Sequence, residues 1–372
     1  MNVMPDRNET LLIRAAVGDG EAALAAWHAW RDAVDFDRVD GESVRIVPLL
    51  YRNLVRLGVP TAQVARYGSV YRHSWASNRL AFLASARALA ALREAGIPTL
   101  LLKGAALTIL HYRDVGVRSM GDVDALVPPA RIGEAAAVLE RLGWIATPRA
   151  SPTRLTPAWI ATHYSAGFGD DKGREIDLHW YASADARWPG IDDELWGAAV
   201  PVEFEGVPTL ALSPTDLLYN VLAHGYASFA LHIRWAADAT TILANAGGEI
   251  DWVRFVRLAE TRRLVLPVLA SLSWVRAELG AAVPDHALRA LANAKVTRVD
   301  RLEFAHRNSA DPFTLGKVLL RHWCWHRRAS EAQAPAALVL GFPAYLGRYY
   351  GTPDARKVAG LLLRRGLARV RG

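Results

Sequence analysis

Two aspartates on one apolar strand constrain this chain more than any other feature of it. In Gly121-Asp122-Val123-Asp124-Ala125-Leu126-Val127 the residues around the carboxylates are small or aliphatic, and side chains at i and i+2 of a strand share a face. Like charges held that close destabilise each other unless a cation lies between them. A hard divalent cation takes such oxygen ligands. Upstream, the apolar run Leu100-Leu101-Leu102 ends on Lys103-Gly104, and Ala105 to Tyr112 has helical composition. This strand–glycine–helix order points backbone N–H groups at a helix start, where phosphate oxygens bind. Gly104 would allow close approach of the backbone, and Lys103 would add a point charge. Arg118 follows the turn Asp114-Val115-Gly116. Pro128-Pro129 stops the strand after Val127, and a helix from Arg131 to Leu142 ends at Gly143. Strand, helix, strand and helix in this order predict a sheet domain with packed helices.

A third carboxylate gives the first two a reason. Residues 161–168 and 174–180 read as strands joined by the polar turn Gly169-Asp170-Asp171-Lys172-Gly173. On the second strand Glu175, Asp177 and His179 alternate with Ile176, Leu178 and Trp180, so the polar three share a face. A solvated strand face is the plain alternative. Thr209–Leu212 closes the sheet region, and Ser213-Pro214 opens a helix with a serine cap and proline in its first turn.

The flanks read as helical. Glu9–Ala16, Glu21–Ala33 and Val47–Leu57 precede a long amphipathic segment from Ser74 to Ala95 closed by Gly96-Ile97-Pro98. Beyond residue 213 only helices are predicted: 215–226, 233–244, 251–261, 264–279, 285–294 and 314–327. Among them His224, Arg234, Trp235 and Asp238 are polar or aromatic groups on apolar segments, and facing the carboxylates they would wall a nucleotide pocket. Division into residues 1–75, 76–212 and 213–372 follows.

Lys+Arg of 44 against Asp+Glu of 37 gives a net charge of +7, which permits anionic partners without selecting one. Only five of the basic residues are lysines, so the position of Lys103 says more than the total. The single cysteine, Cys324, excludes an intramolecular disulfide and a cysteine zinc site, and a reducing, cytoplasmic setting fits. No leader pattern opens the chain, and no run reaches the roughly 18–20 apolar residues of a spanning helix. The basic tail from Arg348 to Arg371 reads as a helix that is solvated or lies on an anionic surface. Nothing resembles a stacking array for nucleic acid.

Lys103-Gly104, Arg118-Ser119-Met120-Gly121-Asp122-Val123-Asp124 and Ile176-Asp177-Leu178-His179-Trp180 together resemble the uncharacterised nucleotidyltransferase branch of the polymerase-β-like superfamily, over roughly residues 80–260. The resemblance implies an α+β fold, in which a small mixed sheet with helices forms the nucleotidyltransferase core between N-terminal helices and a C-terminal helical domain. Asp122, Asp124 and Asp177 would be the catalytic carboxylates and ligands of Mg²⁺ or Mn²⁺. Lys103, Gly104, Arg118 and His179 would contact nucleotide or acceptor, with Arg234 and Asp238 behind them. The chain departs from the superfamily's usual Gly-Gly or Gly-Ser turn, having Lys103-Gly104-Ala105. The expected activity is metal-dependent transfer of an NMP from an NTP to a hydroxyl-bearing small molecule or peptide. The alternatives are a kinase-like phosphotransferase on the same site and a non-catalytic, antitoxin-like nucleotide-binding protein.

Overall fold

The structure, a computed structural model, describes residues 4–147, 155–227, 233–308, 315–329, 334–352, 357–358 and 360. Within these a seven-stranded mixed sheet lies among helices, the α+β class expected. Its strands are β1 (Leu100–Leu101), β2 (Asp122–Leu126), β3 (Ile145–Ala146), β4 (Ser165–Gly169), β5 (Glu175–His179), β6 (Val200–Phe204) and β7 (Val207–Ala211), in the spatial order β3-β4-β5-β2-β1-β7-β6. β2 and β5 pair in parallel, as do β1 and β7; the other pairs are antiparallel.

Of the helices, α1 (Arg7–Val17), α2 (Gly20–Ala33), α3 (Gly41–Val44) and α4 (Val47–Arg56) precede the sheet. Asp6 and Glu9 start α1 with a reciprocal capping box. The thirty-residue α5 (Ala65–Glu94) begins nine positions earlier than the amphipathic pattern from Ser74 predicts. It lays Phe82, Leu89 and Leu92 against the sheet, where Val123, Ala125, Ile176 and Leu178 are fully buried. α6 (Lys103–Leu107) runs into a π-helical turn at Thr108–Tyr112, and α7 (Ile132–Arg141) and the short α8 (Pro157–Ile160) and α9 (Asp193–Gly197) fill the connections. Thus residues 161–168, read as one strand, are the end of a helical turn followed by β4.

After β7 come α10 (Pro214–Ala227), α11 (Arg234–Ala246), α12 (Trp252–Thr261), α13 (Val265–Leu279), α14 (Asp285–Asn293), α15 (Arg298–Arg307), α16 (Leu315–Ala329) and α17 (Pro335–Tyr349). One continuous set of buried apolar side chains runs from Leu12 to Leu291; Trp325, Tyr345, Leu346 and Val358 form a second, smaller one. Most of the basic tail beyond Tyr350 lies outside the described residues. No helix among the described residues is long and apolar enough to cross a membrane.

Candidate active site

Strand register brings the carboxylates together. β2 and β5 run side by side with Asp122 opposite Glu175, Asp124 opposite Asp177 and Leu126 opposite His179, so four acidic side chains and one imidazole project from one face of neighbouring strands roughly 4.8 Å apart. His179 is fully buried beneath them. Its Nε2 lies 3.0 Å from Asp124 Oδ1 and 3.1 Å from Asp177 Oδ2, and its Nδ1 is 3.2 Å from the carbonyl of Tyr181. Burial disfavours the imidazolium, but Asp177 and Asp124 overcome it and raise the pKa to about 9. The protonated ring can donate on both sides, so it braces the carboxylates. Ser165 Oγ donates to Asp177 Oδ2 at 3.2 Å.

Lys103 meets the same cluster from the other side. Its Nζ donates to Asp124 Oδ1 at 2.5 Å, and burial, which would raise the Asp124 pKa, is outweighed by Lys103 and His179, so this carboxyl stays well below the usual range. The lysine backbone is left-handed, with φ +43°, a conformation that costs a non-glycine residue roughly 1–2 kcal/mol. The Asp124 carbonyl accepts from Leu102 N at 3.1 Å, fixing the strand end from which Lys103 departs. Asp122 stands at the rim. The negative charge of Asp124, and then burial, push its carboxyl up to about 7.

The charges are therefore out of balance. With Asp122 poised near neutral pH between its two forms, these carboxylates face Lys103 and a protonated His179 with an excess of one to two negative charges, which a cation would offset. Oxygens of Asp124 and Asp177 lie with a His179 nitrogen within 4.8 Å of one another. Asp122 shares their strand face, so the site offers carboxylate oxygens of the kind a hard cation takes, with an imidazole beside them.

Opposite the strands, α10 and α11 complete a pocket of about 400 Å³ lined by Lys103, Arg118, the carboxylates, Tyr164, His224, Arg234 and Asp238, with Arg45 at one end. Arg118 forks onto Asp238 at 3.0 Å through both Nε and Nη2, and Tyr112 donates to the same carboxylate at 2.8 Å. Asp238 thus holds Arg118 in place. Arg234 donates to the Ser119 carbonyl, while its buried Nε has no hydrogen-bond partner among the described residues. Burial, and then Arg118, lower its pKa to about 10, and it remains a cation at neutral pH. Gly104 serves packing: a Cβ there would stand 2.4 Å from Arg118 Nη1 and 2.6 Å from Met120 Sδ.

Every candidate residue read from sequence lies on this pocket except His179, which lies under it. Sequence reading missed Asn78, Tyr164 and Arg45. Asn78, in the middle of α5, is 1% exposed; it donates to the carbonyls of Val115 (2.6 Å) and Arg118 (2.8 Å) and accepts from Met120 N (3.1 Å). It thereby fastens the segment that delivers Arg118 and Asp122. Nothing in the sequence set it apart from the other polar residues of α5, of which Ser74 and Ser85 are also buried.

Residues 42–280 match the family described as "Uncharacterised nucleotidyltransferase". No curated protein sequence matches the chain. Similar solved structures include the solution structure of the antibiotic-resistance factor ANT(2'')-Ia, at 16% identity and a TM-score of 0.34, covering 55% of this chain and 95% of that one. The crystal structure of ANT(2'')-Ia with adenylyl-2''-tobramycin is similar at 16% identity and TM-score 0.34, covering 52% and 97%. A likeness that loose bears on neither mechanism nor substrate.

Proposed function

The chain belongs to the uncharacterised nucleotidyltransferase family, and on that premise we propose that it moves an NMP from an NTP to a hydroxyl-bearing acceptor and releases pyrophosphate. The observation that carries this reading is the pairing of Asp124 with Asp177 on adjacent parallel strands, Asp122 on the same face, across a pocket from Arg234. Asp122, Asp124 and Asp177 would hold Mg²⁺ or Mn²⁺, and the bound metal would neutralise the triphosphate and polarise its α-phosphorus.

The remaining work falls to side chains. Arg234 and Arg45 face the phosphates, where a charge-assisted bond is strongest, and the fork on Asp238 keeps Arg118 aimed at the same region. These cations favour the charge that develops on departing pyrophosphate. Asp177 accepts the acceptor's hydroxyl proton, with Ser165 and His179 fixing the carboxylate's orientation. Lys103, which donates to Asp124, would be free to reach a phosphate oxygen if that carboxylate held a cation. Gly104 leaves room for Arg118 rather than contacting nucleotide.

Isotope position tests the reading. With NTP labelled at the α-phosphorus, product should carry the label; with γ-label it should not. Label arriving from the γ-position would establish a phosphotransferase instead, and absence of Mg²⁺·NTP binding in calorimetry would leave a protein with another role. The remaining expectations stand as proposals: a cytoplasmic protein that binds an NTP such as ATP, with no stable nucleic-acid partner.

A further inference from the structure

Beyond Lys103 and Tyr164 lies a second chamber of about 250 Å³, which shares those two side chains and His224 with the first. The two chambers differ in character. The first carries the carboxylates and the arginines of the proposed triphosphate site. Small, aliphatic and aromatic side chains, among them Ala182, Ala184, Leu195, Trp325 and Tyr349, take up much of the second. Its Asp216 is engaged by Arg254 at 2.9 Å and its Arg262 by Asp192 at 3.1 Å, and its Arg321 lies over the Trp325 ring, 4.7 Å from the centroid. Helix α10 adds Tyr219 and Asn220, which are 3% and 5% exposed. Tyr219 Oη and Asn220 Oδ1 are buried with no hydrogen-bond partner among the described residues. Buried polar atoms are otherwise almost always paired, so two on one wall point to a ligand that hydrogen-bonds them.

An NTP is divided in the same way. Its triphosphate is an anion suited to guanidiniums and a metal; its base is a flat ring with donors and acceptors only along the edge. With the triphosphate laid between the carboxylates and Arg234, the rest of the molecule can pass at Lys103 and Tyr164, where the chambers meet. The second chamber is smaller than the roughly 300–1,000 Å³ that takes a whole drug-sized ligand, a size for one ring system. Its two orphan atoms narrow the choice. Asn220 Oδ1 only accepts, so the atom facing it must carry a hydrogen, while Tyr219 Oη can donate or accept. An exocyclic amino group with a ring nitrogen beside it, as in adenine, cytosine and guanine, answers both. Hypoxanthine and uracil lack the amino group and would leave Asn220 Oδ1 without it.

We infer that the second chamber binds the nucleobase, and that Asn220 and Tyr219 select an NTP whose base carries an exocyclic amino group. This rests on the nucleotidyl-transfer reading above. Asn220 Oδ1 accepts from the amino group and Tyr219 Oη donates to the ring nitrogen beside it. A site built to hydrogen-bond a substrate group rejects the analogue that lacks it, because its own buried atoms then stay unpaired. Neither residue reaches the phosphates, so both act on which NTP is held and leave the triphosphate's own grip unchanged.

Calorimetry on the full-length protein in Mg²⁺, with ATP, GTP, CTP, UTP, ITP and inorganic tripolyphosphate as probes, tests the site. The tightest binder should be ATP, GTP or CTP, and at least tenfold tighter than its counterpart without the amino group, ITP for the purines and UTP for CTP. Asn220→Ala should abolish that difference and Tyr219→Phe should narrow it severalfold. Both variants should bind tripolyphosphate as the parent does, since it fills only the first chamber. Equal affinity for the five NTPs, or tightest binding of UTP or ITP, overturns the assignment, and this comparison in the parent stands even where a variant fails to fold. So does a difference undiminished in both well-folded variants, which would leave the chamber to the acceptor, or a loss of tripolyphosphate affinity equal to the loss of NTP affinity. Failure of the transfer reading shows separately, as label arriving from the γ-position while the base preference holds; binding of no NTP by the parent overturns both.

Discussion

His179 is the residue on which the carboxylate cluster turns. Fully buried and hydrogen-bonded to Asp124, Asp177 and the Tyr181 carbonyl, it fixes two carboxylates at once. Substitution of a group behind the metal ligands typically costs 10–100-fold. His179→Ala is therefore expected to lower transfer by about that factor, with Mg²⁺·NTP affinity reduced in calorimetry and the circular dichroism spectrum retained. Asp122→Ala, at the half-buried rim, should remove Mg²⁺-dependent nucleotide binding while leaving the melting temperature near that of the parent. If it binds Mg²⁺·NTP as the parent does, the metal assignment is wrong. Cys324 makes the opposite case, a reactive group kept inert. It is 1% exposed, and burial, then Glu303, push its thiol up to about 12. The thiolate is the reactive form, and well below that pKa it is scarce. Iodoacetamide at pH 8 should therefore modify the folded protein far more slowly than the urea-unfolded chain, as read by mass spectrometry.

Among the elements, α5 is the one that positions the site from a distance. Losing the Asn78 amide leaves Met120 N–H and two carbonyls without their partner, and each unsatisfied buried group costs about 1–3 kcal/mol. Asn78→Ala should lower stability by at least about 1–3 kcal/mol in urea unfolding, the cost of one such group, and raise KM for NTP, because Arg118 and Met120 lose their anchor. What the sequence made legible follows the range of the interactions. Asp122 with Asp124, and Asp177 with His179, were readable because a strand's two-residue period is local. The pairing of β2 with β5 is parallel and joins segments some fifty positions apart, so no local pattern announces it, and it sets which carboxylates touch. β6 was missed although Val200, Val202 and Phe204 alternate with exposed Pro201 and Glu203, because a proline inside a run argues against a strand. As the edge strand, β6 tolerates a proline that an interior strand would not. α15 was missed although Thr297 and Asp300 form a capping box, since six of its ten residues are charged or histidine and its apolar residues are few.

At the scale of the molecule, buried ion pairs attach the C-terminal helices to the sheet region. Asp185, fully buried at its side chain, binds Arg307 of α15 and both Arg328 and Trp325 of α16. Breaking a buried pair from one side costs about 3–5 kcal/mol. Asp185→Asn should accordingly lower the melting temperature and expose the segment from α15 onward to limited proteolysis before the sheet is cut. The other long-range connection runs through residues 115–120. Asn78 of α5 holds that segment at Val115, Arg118 and Met120, while α11 holds it through Asp238 on Arg118 and Arg234 on the Ser119 carbonyl. A single loop is thus riveted to α11, which lines the cleft, and to α5, which packs on the other face of the sheet, so the loop's place beside α11 is set before any nucleotide arrives. Binding then orders little backbone, and the entropic penalty of association falls mainly on the ligand. Amides of 115–120 should exchange slowly in the unliganded protein and gain little further protection with Mg²⁺·NTP. A cleft bordered by a loop so fixed selects by shape at first encounter, and discrimination between substrates would then appear in how fast they leave.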